Sequence, residues 1–114
     1  MKKKDRICRN EEFQTILQKR KFINKSGITV YYERRKEAHP RFGFAVPKKM
    51  GNAVLRNKTK RQLREMVQAL GQDVIASEFD YIVMIRKSYY EQSFEENKKD
   101  LETAFKNVKI RAYS

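Results

Sequence analysis

Hydrophobic and polar positions divide the chain into segments of two different periods. Phe13, Ile16 and Leu17 recur at helical spacing, and Glu11 and Glu12 precede them where a helix dipole favours negative charge. This spacing predicts a helix over 10–20 with Asn10 as its cap. Residues 28–33, ITVYYE, are rich in β-branched and aromatic side chains and predict a strand, as do residues 41–46, RFGFAV. The polar link 34–40 is short, so these two strands are expected to form an antiparallel hairpin. Pro47 ends the second strand and 48–51 form a loop. Asn52 is placed to cap a long helix over about 53–70, with Gly71 as its stop. Residues 74–79 are read as a further helical turn. Residues 80–86, DYIVMIR, are nearly all apolar, as in a strand buried on both faces. Residues 91–108 predict a last helix with Phe94, Leu101, Phe105 and Val108 on one stripe. The order α-β-β-α-β-α predicts an α+β two-layer sandwich, with helices packed on a small mixed sheet. One domain is expected over 1–114, with a basic tail at about 1–9.

Alternation in the strands assigns two sheet faces. Phe42, Phe44 and Val46 point to one side, which suits a core, while Gly43 and Ala45 leave room on the other. Ile28 and Val30 share one face of the preceding strand, and Thr29 and Tyr31 the other. The helix carrying Phe13 and Leu17 is expected to wall that second face.

Charge changes the picture. Lys and Arg number 27 against 14 Asp and Glu, a formal net charge of +13 in 114 residues. Residues 1–64 hold 20 basic and 5 acidic residues, whereas 65–114 hold 7 and 9. A polyanion-binding surface built from the first 64 residues is therefore expected, nucleic acid before an acidic membrane. No apolar run approaches the roughly 20 residues of a membrane span, and no apolar stretch follows the basic start as in a secretory signal. A soluble, cytoplasmic protein is expected. One cysteine, Cys8, permits no internal disulfide and reads as an unremarkable thiol.

The central helix sorts sharply at 100° per residue. Leu55, Thr59, Leu63, Met66, Val67 and Leu70 fall on one arc; Asn57, Lys60, Arg61 and Arg64 lie opposite, with Lys58 beyond them and Arg56 at the border. Five cations within nine residues repel one another and oppose the dipole over much of the helix, a cost that a phosphate backbone would reverse. Lys48, Lys49, Gly51 and the first helical N–H groups form a second anion-friendly feature.

Residues 41–65, RFGFAVPKKMGNAVLRNKTKRQLRE, resemble the signature of the protein subunit of bacterial ribonuclease P. The matching parts are the glycine-containing apolar strand, Lys48-Lys49, Ala53, Arg56-Asn57, Lys60-Arg61 and Arg64. The likeness extends to Asn10-Glu11-Glu12-Phe13, the ITVYY strand and Asp80-Tyr81. Lys58 departs from it, standing where the family usually has Arg; charge is kept and the bidentate fork is lost. The resemblance implies a left-handed strand–helix–strand crossover. It also implies a non-catalytic subunit that binds a large catalytic RNA and the 5′ leader of precursor transfer RNA. The RNA, with Mg²⁺ held mainly by RNA and substrate, carries the hydrolysis. The resemblance assigns Lys48, Lys49, Arg56, Asn57, Lys58, Lys60, Arg61 and Arg64 to the catalytic RNA. It assigns Phe13 and Tyr31 to stacking in a leader cleft, Thr29 and Ala45 to its floor, Lys49 to its edge, and Leu17 to a position where relatives often place a second aromatic.

No protein-borne catalytic site is legible. Glu11-Glu12 and Glu95-Glu96 are adjacent pairs that do not face one site and read as solvated helix-start charges. Asp80 reads as structural, and His39 has no partner visible in sequence. Ser26, Ser77, Ser88, Ser93 and Ser114 lie in no nucleophile motif. A ribosomal-type RNA-binding protein and a protein nuclease stay open as alternatives. No helix-turn-helix or zinc pattern supports a DNA binder.

Overall fold

The computed structural model describes residues 1–7, 9–71 and 73–113. Cys8 and Ser114 therefore lie outside the described residues. The elements are α1 (Asn10–Gln18), β1 (Phe22–Lys25), β2 (Ile28–Arg34), β3 (Phe42–Ala45), α2 (Ala53–Ala69), β4 (Phe79–Ile85) and α3 (Phe94–Ala112), with 3-10 turns at Lys3–Asp5, Lys48–Met50 and Lys87–Glu91. The four-stranded mixed sheet has the order β1-β2-β4-β3. β1 and β2 run antiparallel, β2 and β4 antiparallel, and β3 and β4 parallel.

The expected α+β sandwich on a mixed sheet is present, with one strand more than the sequence reading predicts. β1 pairs Lys25 with Ile28 across a Ser26–Gly27 turn, where Ser26 has φ 51°. This is the hairpin of the fold. The expected hairpin between 28–33 and 41–46 does not form, because β4 lies between those strands. A short polar link reports that two strands are near in sequence, not that they are neighbours in the sheet. Neither is 74–79 helical: the chain turns there, with the Gly71 carbonyl accepting from Val74 and Ile75 N–H.

Helix boundaries follow their caps. Asn52 Oδ1 accepts from the Leu55 N–H at 2.9 Å, as expected. Asn10 is the first residue of α1 rather than its cap, which is Arg9 without a side-chain bond. The last helix starts at Phe94 instead of 91, because Ser93 and Glu96 form a reciprocal capping box there. The preceding residues 87–91 form a 3-10 turn.

The alternation in the strands sorts the two sheet faces as predicted. Ile28, Val30, Tyr32, Tyr81, Val83 and Ile85 pack with Leu63, Met66 and Val67 of α2 and Leu101, Phe105 and Val108 of α3. Phe42 and Phe44 join this core, and Phe42 stacks on Tyr81 at 5.5 Å. The Tyr81 hydroxyl, deep in this core, donates to the Ala76 carbonyl at 2.5 Å. On the other face Ile7, Ile16 and Ile82 are buried, with Phe13, Leu17, Tyr31 and Ala45 partly buried around them. The basic start is docked against the fold: Ile7 N–H donates to the Phe42 carbonyl, and Met1 packs on the main core.

The β1–β2 hairpin is held against the 87–91 turn by close backbone approach. A Cβ at Gly27 would lie 2.4 Å from the Tyr89 backbone nitrogen, and no side-chain rotation relieves that contact. Gly27→Ala is expected to cost about 3 kcal/mol, the upper range for overpacking, in urea unfolding. A loss under about 1 kcal/mol would mean that hairpin and turn separate freely.

Candidate nucleic-acid interface

Two surfaces meet at β3. The first is the sheet face under α1. Phe13 lies directly over Gly43: a Cβ there would come within 2.5 Å of Phe13 Cζ, so only a bare backbone admits the ring. Cα pairing puts Phe22 beside Tyr31, Asn24 beside Thr29, Gly43 beside Ile82 and Ala45 beside Met84, so these residues share one face. Phe13, Leu17, Tyr31, Ala45 and Met84 are each half-buried, which leaves apolar and aromatic surface beside the helix. Thr29 is buried, and its hydroxyl donates to Asn24 Oδ1 at 2.6 Å. Thus Phe13, Leu17, Thr29, Tyr31 and Ala45 do come together on one face. Lys49 lies four residues beyond Ala45 in the exposed 3-10 turn.

Phe22, Asn24 and Met84 also belong to this face, and the sequence reading missed them. The Phe22 and Tyr31 rings lie 5.3 Å apart. FINK shows no apolar–polar alternation, so Phe22 and Asn24 carried only a weak local signal, two apolar residues ahead of the Ser26–Gly27 turn. The signal for Met84 was its parity with Ile82.

One ionic contact fixes α1 to the sheet. Arg41 Nη2 donates to Glu12 Oε2 at 2.5 Å and to Asp80 Oδ2 at 3.1 Å, and the Arg41 backbone N–H donates to Asp80 Oδ1 at 3.0 Å. Asp80 is 2% exposed, so its structural reading is borne out by what it holds. Glu12 is not a solvated helix-start charge: the bond from Arg41 holds its carboxyl below the usual glutamate range. His39 also has a partner that sequence did not reveal, since its Nε2 lies 2.7 Å from the Lys4 carbonyl oxygen.

The second surface is the outer face of α2 with the turn before it. Thr59, Leu63, Met66 and Val67 are buried, whereas Asn57, Lys58 and Arg61 are exposed and Arg56, Lys60 and Arg64 half-exposed. Lys48 and Lys49 are exposed in the preceding turn. Among the described residues, ion pairs join Lys21 to Glu33 and Arg41 to both Glu12 and Asp80, and His39 Nε2 lies 3.8 Å from Asp5 Oδ1. None uses a cation of α2 or of the 48–51 turn. Seven basic residues therefore share one surface without an acidic partner, and Arg56 Nε is buried without a hydrogen bond. Such a surface offers a polyanion several charge-assisted bonds with no internal pair to break first.

No group of three or more His, Cys, Asp or Glu among the described residues is placed to hold a metal ion. No helix among them is long and apolar enough to cross a membrane.

The family described as Ribonuclease P matches residues 1–109. The chain is 42% identical to the ribonuclease P protein component of Mesoplasma florum over 103 residues, covering 89% of this chain and 92% of that one. It is 45% identical to a Bacillus cereus ribonuclease P protein component over 108 residues, 93% of this chain and 92% of that one. Among solved structures, the RNase P protein of Staphylococcus aureus superposes with TM-score 0.80 at 35% identity, covering 92% of this chain and 95% of that one. That of Thermotoga maritima gives 0.78 at 26%, covering 90% and 96%.

The Arg41 clamp makes two stability predictions. Arg41→Ala leaves the buried Asp80 carboxylate without its guanidinium and is expected to cost about 3 kcal/mol in urea unfolding. Glu12→Gln is expected to cost about 1–2 kcal/mol at neutral pH. Because folding lowers the Glu12 pKa, its contribution is complete above the ordinary glutamate range and drains away as pH falls through the lowered value. The stability gap between wild type and Glu12→Gln should thus close in acid, and a gap constant down to pH 3 would refute the assignment.

Proposed function

The chain belongs to the ribonuclease P protein family, and from that membership we propose that it is the RNA-binding subunit of a ribonucleoprotein that removes the 5′ leader of precursor transfer RNA. The observation that carries this reading is the surface of Lys48, Lys49, Arg56, Lys58, Lys60, Arg61 and Arg64, which has no acidic partner among the described residues. The catalytic RNA lies across this face, its phosphates relieving the mutual repulsion of the cations, with Asn57 among them as a neutral hydrogen-bonding group. The leader lies on the other surface. Phe13 and Tyr31 stack with single-stranded bases, Leu17 and Ala45 supply apolar contact, Thr29 supports the floor, and Lys49 meets the leader backbone at the edge.

The hydrolysis belongs to the RNA, with Mg²⁺ held by RNA and substrate. In support, the carboxylates that converge in this fold, Glu12 and Asp80, are both bound to Arg41 and so unsuited to a cation. The protein acts in the cytoplasm as a single domain, with RNA rather than DNA or membrane as its partner.

The deciding experiment is 5′ cleavage of a precursor transfer RNA at low Mg²⁺ by protein alone, catalytic RNA alone, and both. Rescue by the combination only is expected. Cleavage by rigorously RNA-free protein would overturn the reading.

Substitutions then separate the two surfaces. Arg61→Ala and Arg64→Ala should each weaken binding to the catalytic RNA and lower its salt slope by about one. Phe13→Ala and Tyr31→Ala should leave that affinity unchanged. They should lower the preference for leader-bearing over leaderless transfer RNA roughly tenfold per stacked base lost. Unchanged leader preference in both would remove the leader from this cleft.

A further inference from the structure

Among the described residues, Val54, Tyr90, Ile110 and Tyr113 stand out as large apolar side chains that are exposed. Val54 lies on the first turn of α2 and Tyr90 beside that helix. Val54 is 78% exposed one turn before Lys58, at i and i+4 on one side of the helix. Tyr90 is 38% exposed on the Lys87–Glu91 turn, which packs beside α2. Between that turn and the helix is a hollow of about 160 Å³ lined in part by Lys58, Thr59, Gln62, Tyr89 and Tyr90. None of these tyrosines was given a role by the sequence.

The hydrogen bonds decide what this hollow offers. The Thr59 hydroxyl donates to the Leu55 carbonyl at 2.9 Å. Its single proton is thereby committed, so in the 2.8 Å contact between Thr59 Oγ1 and Tyr90 Oη the tyrosine donates. The Tyr89 hydroxyl donates to Gln62 Oε1 at 3.0 Å, and the two tyrosine rings meet edge to face at 5.4 Å and 83°. Both phenol protons are thus used inside the protein. What Tyr90 presents outward is ring surface, held in place by Thr59 below and Tyr89 beside it. Gln62, its oxygen occupied by Tyr89, keeps both amide N–H groups as donors. Lys58 supplies an ammonium at the rim, with no ion pair among the described residues.

A fixed aromatic surface, an amide presenting donors and a free ammonium suit an unpaired nucleobase with its phosphate. An apolar peptide would leave the Lys58 charge unanswered. We infer that this hollow receives an unpaired base of the catalytic RNA, stacked on Tyr90 with its phosphate at Lys58, on the flank of α2. The inference rests on the reading of α2 as the face that meets the catalytic RNA. It adds a sequence-tolerant stacking contact to a surface otherwise made of charge.

The test is equilibrium binding of the full-length protein to the catalytic RNA across a salt series, for Tyr90→Ala, Tyr90→Leu, Tyr90→Phe, Lys58→Ala and Arg61→Ala. Tyr90→Ala and Tyr90→Leu are expected to weaken binding roughly tenfold with the salt slope unchanged, since stacking releases no counterions. Tyr90→Phe should keep most of the affinity, and Lys58→Ala should lower the slope by about one. If Tyr90→Ala fails to fold, judged by its thermal transition, Tyr90→Leu decides, because leucine fills the space without a π-face. Wild-type affinity in the folded Tyr90 variants, with Arg61→Ala impaired, would overturn this inference and leave the reading of α2 standing. Equal losses in Tyr90→Phe and Tyr90→Ala would also overturn it, by assigning the effect to the Thr59 bond. Wild-type affinity in every variant, Arg61→Ala included, would remove the RNA from α2 and the inference with it.

Discussion

A strand with a neighbour on each side and a covered surface above and below has no position to spare for an unpaired polar group. β4 is that strand here. Tyr81, Val83 and Ile85 serve the core under α2 and α3, while Ile82 serves the smaller one under α1. Asp80 is the single charged residue within it, and at 2% exposure an unpaired carboxylate there would be untenable. Arg41 resolves this with its side chain and its backbone N–H together. The same guanidinium also binds Glu12, so the charge that β4 must neutralise becomes the tie that positions α1. The half-buried apolar surface beside α1 inherits its geometry from that requirement.

Placing β4 centrally also explains where the sequence was readable and where it was not. Face assignments came through because alternation is a local property: Phe42 and Phe44 against Gly43 and Ala45, Ile28 and Val30 against Thr29 and Tyr31. Helix polarity came through for the same reason, since Thr59, Leu63, Met66 and Val67 are buried opposite the cations. Strand adjacency is non-local. The link 34–40 looks like a hairpin turn, yet it carries the chain past the position that β4 fills some forty residues later. β1 was lost because FINK is only four residues long and its edge position asks little of its composition. With it went Phe22 and Asn24. Glu12 was misread because nothing local links it to Arg41, twenty-nine residues away.

The charge pattern poses a different energetic problem. The clamp shows that this chain can pair a cation with carboxylates when folding requires it. The cations on α2 have no such pairing among the described residues, although residues 65–114 hold more acidic than basic residues. The acids are placed elsewhere: Glu96 in a capping box and Asp100 against Gln92. Segregating charge in this way destabilises the free protein and stabilises a complex with a polyanion, so part of the binding energy is stored as repulsion in the unbound state.

The two surfaces are joined by a short stretch of chain. β3 contributes Gly43 and Ala45 to the sheet face under α1. The chain then passes through Pro47 and the Lys48–Met50 turn and enters α2 under the Asn52 cap. β3 is hydrogen-bonded to β4 along its length, and α2 is packed on the core, so neither end of this route swings freely. On the proposed reading, a leader held at β3 is thereby held at a set distance and angle from an RNA held at α2. A protein that supplies no reacting group still accelerates a reaction if it fixes substrate against catalyst, because the entropy of that alignment is removed in advance. Lys49 stands between the two surfaces in chain order, and on that same reading its charge serves both.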